Sequence, residues 1–174
     1  MLKFGEVIFV HIRKTEEGDL LAIAEIYSNA KRYMTENGNP NQWNTENSPS
    51  LKTAREDMEN GVGYVCERDG EIIAVFMFKI GEDPTYKTIY DGKWLNDDQY
   101  AVIHRIAVKY HGQGIVAFCF NECFSHFPNL KIDTHRDNIP MQKALGKAGF
   151  LRCGIIHLEN GDERVAFQKQ NSAD

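Results

Sequence analysis

No stretch of this sequence is apolar for long enough to cross a membrane, which takes about 20 consecutive residues, and no cysteine pair has the CxxC spacing. Repeats, low-complexity tracts and an interdomain linker are also missing. The opening residues "MLKFGEVIFVHIRKTEEGD" lack the long apolar stretch and small-residue cleavage site of a secretory signal. Basic charge is short as well: 20 Lys and Arg stand against 25 Asp and Glu, for a net charge of −5. A nucleic-acid or polyphosphate binder needs a basic face. The expected partners therefore include no nucleic acid and no membrane, and any anionic ligand must be held by local geometry. Cys119, Cys123 and His126 would share one helical face, either as metal ligands or, as the bulk of buried cysteines do, as small core residues. The second reading is preferred, so no metal is expected, and the four cysteines are expected to be reduced thiols in a cytoplasmic protein. What remains is an ordinary globular composition, 42% apolar and 26% charged over 174 residues, enough for one domain with its own core from about residue 7 to 169.

Hydrophobic periodicity and turn residues divide this domain. "EVIFVHIRK" (6–14) reads as a first strand. Thr15 is placed to cap a helix whose buried face is Leu20, Ile23, Tyr27, Ala30 and Met34, with Gly38 and Pro40 as its stop. "GNPNQWNTENSPS" is a polar loop carrying Trp43, and Ser48-Pro49 reads as the cap and first residue of a short second helix. Asp69-Gly70 turns a hairpin in "GYVCERDGEIIAVFMFKIGE", and Asp91-Gly92 predicts a second, smaller hairpin in the insert "DPTYKTIYDGKWLNDDQ". "YAVIHRIAV" is a strand, "IVAFCFNECFSHF" a helix and "LKIDTH" a strand. Asn138 caps a helix that ends at Gly149, and "FLRCGIIHLE", Asn160-Gly161 and "ERVAFQK" make a final hairpin. The order β-α-α-β-β-β-α-β-α-β-β implies an α/β protein with a mixed, partly parallel sheet covered by helices.

The stretch "VKYHGQGIVAF" stands out. Gly112-Gln113-Gly114-Ile115-Val116-Ala117 fits the dinucleotide pattern G-x-G-x-x-A, and Asp133 follows at about the 20-residue spacing which that pattern asks for. Its surroundings do not fit. Lys109, Tyr110 and His111 separate the strand from the first glycine, and Asp133 falls inside a strand and not at its end. A helix beginning directly behind two glycines still points to an anion, because successive N–H groups form a nest where the helix dipole favours negative charge.

Lys109-Tyr110-His111-Gly112-Gln113-Gly114 resembles the pyrophosphate motif Gln/Arg-x-x-Gly-x-Gly/Ala of the GNAT family of N-acetyltransferases. "HRIAV" before the loop, "NIPMQKALGKAGF" after it and the element order are similar to that family's. The resemblance implies a central, mostly antiparallel mixed sheet with splayed middle strands and helices on both faces. It implies acetyl-CoA as cosubstrate, direct attack of an amine on the thioester, and a small-molecule amine or protein amino group as acceptor, with homodimerisation left open. The residues implied at the cofactor are Ile106, Ala107, Val108, Lys109, His111, Gly112, Gln113, Gly114, Ile115, Val116 and Asn138. Lys109 departs from the motif and lacks the arginine fork, and Val116 stands where a small residue is common.

For proton removal the candidates are His104, His135 and Asp133. His104 alternates with Val102, Ile106 and Val108, so it is expected to share their face. Its position resembles a histidine of arylalkylamine N-acetyltransferases, and imidazole suits proton transfer near neutrality. A core histidine remains the other reading. His135 and Asp133 alternate along the neighbouring strand. The family's tyrosine seven residues after the motif asparagine is replaced by Leu145, which leaves His157 or water for the thiolate and keeps open a rival function, a non-catalytic sensor of acetyl-CoA. The resemblance assigns the acceptor site to the first interhelical loop, with Trp43, and to the insert holding Tyr86, Tyr90 and Trp94, foremost Tyr90, with Trp43 either walling an amine pocket or covering the core.

Overall fold

The computed structural model describes residues 9–44 and 48–171. The strands are β1 (Val10–Lys14), β2 (Gly63–Arg68), β3 (Glu71–Ile80), β4 (Ala101–Val108), β5 (Asn129–Thr134), β6 (Leu151–His157) and β7 (Glu163–Gln170). The helices are α1 (Leu20–Glu36), α2 (Leu51–Glu59), α3 (Ile115–His126) and α4 (Ile139–Lys147). The strands form one sheet in the order β1-β2-β3-β4-β5-β7-β6, antiparallel throughout except between β4 and β5. The element order expected from periodicity is the one observed. The start of the expected first strand, residues 6–8, lies outside the described residues, as does part of the loop after Trp43.

Local chemistry explains most of the boundaries. Asp69 and Gly70, at φ +50° and +83°, turn the β2–β3 hairpin, since both positions of that turn demand positive φ. Thr15 is not the cap of α1. Its N–H continues the sheet to the Gly63 carbonyl at 3.0 Å, and a short 3-10 turn at Glu17–Asp19 opens the helix instead. Asp19 accepts from the Glu16 N–H and is clamped by Arg13 at 2.7 and 3.0 Å. Likewise α2 is capped at Ser50, two residues later than expected, with the Ser50 N–H donating to Thr53 Oγ1 at 3.1 Å.

The insert does not form the second hairpin expected at Asp91-Gly92. Tyr90 exchanges two main-chain hydrogen bonds with Ile155 at 2.8 Å, and the Lys93 N–H donates to the Cys153 carbonyl. The chain turns at Asp91-Gly92 in order to lie along β6, the edge strand, whose open main-chain groups it satisfies. Gly154 permits the approach, since a Cβ there would stand 2.4 Å from the Tyr90 carbonyl oxygen.

Helices cover both faces. Ile115, Cys119, Phe120 and Cys123 of α3 and Leu145 of α4 pack on one face with Ala101, Ile103 and Leu130. Leu20, Ile23, Ile26 and Tyr27 of α1 and Ala54 of α2 pack on the other with Val65, Val75 and Ala107. Cys119 and Cys123 are thus core residues, whereas His126 is exposed. No helix among the described residues is long and apolar enough to cross a membrane.

Two departures from regular pairing create the site. β4 and β5 pair only at Ala101↔Leu130 and Val102↔Lys131, so the C-terminal half of β4 has no partner on that side and the strands splay. Further along β4 there is a bulge. Met77 of β3 faces His104 and Val75 faces Ala107, so Arg105 and Ile106 together oppose Phe76. Arg105 adopts φ +54°, and its guanidinium grips the buried Asp57 of α2 through two bonds of 2.6 and 3.2 Å. The bulge reverses the alternation of side chains. Val102 and His104 lie on the face of Tyr86, whereas Ile106 and Val108 pack against the α3 side. The expectation that His104 shares a face with Val102, Ile106 and Val108 therefore holds only for Val102.

Candidate active site

Two adjoining cavities open where β4 leaves β5. The first, about 510 Å³, is lined by Ile106, Ala107 and Val108 of β4, by the loop from Tyr110 to Gly114, and by the first turns of α3 and α4. Gly112 and Gly114 take φ +72° and +75°, a region that L side chains disfavour, and Gly114 is the N-cap of α3. The first hydrogen bond of α3 runs from the Phe118 N–H to the Gly114 carbonyl. The N–H groups of Ile115, Val116 and Ala117 have no partner within the helix, and these residues line the cavity. Lys143 and Lys147 of α4 add positive charge to its wall. The arrangement suits a diphosphate and an elongated apolar arm.

The implied cofactor residues sort themselves by place. Ile106, Ala107, Val108, His111, Gly112, Gln113, Gly114, Ile115, Val116 and Asn138 all line this cavity. Lys109 does not. Its ammonium pairs with Glu71 at 2.6 Å, which also accepts from the Tyr110 hydroxyl. His111 stacks on Tyr33 with ring centroids 3.6 Å apart, and burial lowers its pKa. Asn138 joins the two cavities. Its Oδ1 accepts from the Met141 N–H to cap α4, while its Nδ2 donates to Gln42 Oε1 at 2.7 Å.

The second cavity, about 390 Å³, shares Met34, Ile106, Asn138 and Met141 with the first. His104 and Arg105 of β4, Asp133 of β5, Asp83 of the insert, Trp43 and Arg164 of β7 also line it. His104 sits between two carboxylates, with Nε2 2.7 Å from Asp83 Oδ2 and Nδ1 3.6 Å from Asp133 Oδ2. Burial pushes the Asp83 carboxyl up, but hydrogen bonds from His104 and from the N–H and hydroxyl of Thr85 outweigh it and hold the group well below the usual carboxylate range. An ionised Asp83 can only accept, so Nε2 carries the hydrogen and the lone pair of a neutral His104 is on Nδ1. Asp133 also accepts from the Tyr86 hydroxyl at 2.7 Å. Burial, followed by the charge of Asp133, drives the Tyr86 pKa far up, which keeps the phenol protonated as that donor.

Trp43 is 7% exposed, lines the cavity and packs edge-on against Tyr27 in the core. His135 follows the end of β5 and does not line either cavity. Its Nδ1 accepts from the Asp137 N–H at 3.1 Å, and burial, with Arg164 nearby, lowers its pKa. Tyr90 is half exposed on β6 and stacks on His157, and neither residue lines either cavity. Leu145 is fully buried. Asp83, Thr85 and Arg164 line the smaller cavity without being singled out by the sequence, whereas Tyr86 belongs to the insert that the resemblance implies at the acceptor. Asp83-Pro84 is a capping signal, and here Asp83 does cap a short 3-10 turn at Pro84–Tyr86 that seats its carboxylate.

The model of the acetyltransferase (GNAT) family matches residues 20–150. A GNAT-family acetyltransferase from Streptococcus agalactiae 2603 superposes with a TM-score of 0.86 at 27% identity, covering 94% of this chain and 96% of that one. One from Listeria monocytogenes 4b F2365 superposes at 0.70 with 17% identity, covering 92% and 94%. A ribosomal-protein-alanine N-acetyltransferase from Brucella melitensis superposes at 0.62 with 19% identity, covering 92% and 99%. At their lower identities the last two speak to the fold alone. No functionally curated protein matches the sequence significantly.

Proposed function

The chain belongs to the GNAT acetyltransferase family, and from that premise we propose that it transfers acetyl from acetyl-CoA to a primary amine, a small molecule or an accessible amino group, with His104 as the base. The observation that carries this reading is the meeting of the two cavities at the β4 splay, with His104 and its two carboxylates lining the smaller one.

The α3 N-terminus and the Gly112–Gly114 nest hold the pyrophosphate, supported by Lys143 and Lys147. The pantetheine arm lies along the open edge of β4 at Ile106–Val108, beside Asn138. That edge has no β5 partner, and its N–H groups are the donors for charge building on the thioester oxygen. Asp83 fixes the His104 ring, and Nδ1 takes the proton that the ammonium loses, with Asp133 beside it to stabilise the imidazolium. The amine nitrogen then bonds to the carbonyl carbon and sheds its second proton as the carbon–sulfur bond breaks, and the thiolate leaves with the electron pair and takes up that proton through water. Trp43 closes one wall against the acceptor.

A second reading, an acetyl-CoA sensor, is favoured by one observation: Leu145, buried in the core, stands where a thiolate-protonating tyrosine is common. Calorimetry with acetyl-CoA and NAD(P), paired with CoA-thiol release over a panel of amines, peptides and amino acids, decides among the readings. Acetyl-CoA binding with turnover supports the transferase. Binding without turnover in any of these classes supports the sensor, and binding of NAD(P) alone overturns both.

A further inference from the structure

A buried guanidinium is ordinarily met by a carboxylate at contact distance, because burying an unmatched charge is costly. Arg164 is 4% exposed and lines the smaller cavity. Its hydrogen bonds nevertheless go to main-chain carbonyls, Glu163 O at 2.9 Å and Gln42 O at 3.3 Å, and neither acceptor carries charge. Among the described residues, the carboxylate that comes within 4.0 Å of it is Asp162, at 4.0 Å and itself 40% exposed. The other arginine of the cavity, Arg105, is matched by the buried Asp57.

Negative charge lies at the other end of the same wall. Asp133 pairs across the ladder with Ala166. Arg164, two residues before Ala166, is then its diagonal neighbour on the same face, with Cα atoms about 7–8 Å apart. Asp133 and Asp83 are both turned to His104. The cavity thus presents an acidic end suited to an ammonium and, a short step away, a buried guanidinium that no carboxylate meets at hydrogen-bond distance among the described residues, Asp162 standing 4.0 Å off.

We propose that the acceptor is a small amine that also carries a carboxylate, an amino acid in the broad sense, with its acid group on Arg164 and its amine at His104. The inference rests on the acetyl-transfer reading above for what happens to that amine. A planar guanidinium keeps its charge when buried and matches a carboxylate through paired N–H donors. A neutral analogue leaves that charge unmatched when the cavity loses its water, which is why a site of this kind discriminates strongly.

The test is calorimetric titration of the CoA-loaded protein with α-, β- and γ-amino acids and their matching carboxamides, for the native chain, Arg164→Gln and Arg164→Lys. At least one acid is expected to bind about 10- to 100-fold more tightly than its amide, the size of a charge-assisted hydrogen bond. The acid-to-amide ratio should collapse toward one in Arg164→Gln and survive in part in Arg164→Lys. Equal binding of acids and amides, no binding of either, or a ratio that persists in Arg164→Gln overturns the proposal. Thermal melts report whether each variant folds. If Arg164→Gln does not fold, the native acid-to-amide ratio and Arg164→Lys decide. CoA-thiol release separates the two claims: an acid that binds through Arg164 without release removes the transferase and leaves the acid site, whereas turnover of neutral amines with no preference for acids does the reverse.

Discussion

His104 and Asp83 are separated by 21 positions in the chain, and their side chains meet at 2.7 Å. The contact depends on two local devices. The β4 bulge at Arg105 leaves His104 on the face of Tyr86 while the strand beyond it lines the larger cavity. The Asp83 carboxylate is seated by its own turn, through the N–H and hydroxyl of Thr85 at 2.8 and 2.6 Å. Together they fix the tautomer and the orientation of the ring.

His104→Gln is expected to lower kcat by about 100-fold or more, the usual worth of a positioned general base. Asp83→Asn should lower it less, because the ring stays and only its hold is weakened. Acetyl-CoA affinity should not change in either variant, since neither side chain lines the larger cavity, where the cofactor is proposed to sit. Steady-state thiol release and calorimetry measure the two quantities. Full activity in His104→Gln would remove it as the base.

Much of this was legible from local chemistry. Asp69-Gly70 and the glycines at 112 and 114 announce positive φ, and the chain obeys. What was not legible depended on partners distant in sequence. The reversal of alternation at Arg105 is invisible to a period-two pattern, because the arginine is held in its conformation by Asp57 of α2. The turn residues of the insert are real, but its pairing partner is the β6 edge, which no local pattern announces. Arg164 looks like one more surface charge in a strand, and only the assembled sheet buries it.

Acid should destabilise the protein in a defined window. The folded-state pKa values of Asp83 and Asp19 lie below their ordinary values, Asp83 through His104 and Thr85 against the effect of burial and Asp19 chiefly through the Arg13 hydrogen bond. The unfolded chain therefore binds more protons as the pH falls. The stabilisation is complete above about pH 4 to 5 and is lost as the pH drops through the lower folded values. Urea midpoints should fall steeply below about pH 4, and Asp83→Asn should flatten that fall. An identical acid slope in the variant would show that Asp83 carries none of it.

Gly114→Ala isolates the nest. A Cβ at this position meets nothing within 4 Å, so the cost is that of φ +75° alone, about 1 kcal/mol. The melting temperature should fall slightly, and acetyl-CoA affinity should fall further than stability does, because relaxation of φ re-aims the N–H groups of the α3 N-terminus. A weakened fold with unchanged affinity would place the pyrophosphate elsewhere.

Gly154→Ala tests whether the insert positions the base. The added Cβ would stand 2.4 Å from the Tyr90 carbonyl oxygen, and main chain cannot yield there without breaking the paired bonds between Tyr90 and Ile155. The segment from Pro84 to Tyr90 must then lift from β6, and the Asp83 seat moves with it. The expected loss of stability is about 2 kcal/mol, read from denaturant midpoints. The more telling readout is kinetic. Among the folded molecules kcat should drop toward the Asp83→Asn value while acetyl-CoA affinity stays as it was, because the larger cavity is lined by α1, β4, the glycine loop, α3 and α4 and does not include the insert. A variant that loses stability but keeps its kcat would separate the insert from the orientation of His104, and the Asp83 contact would then be a packing feature of the cavity wall.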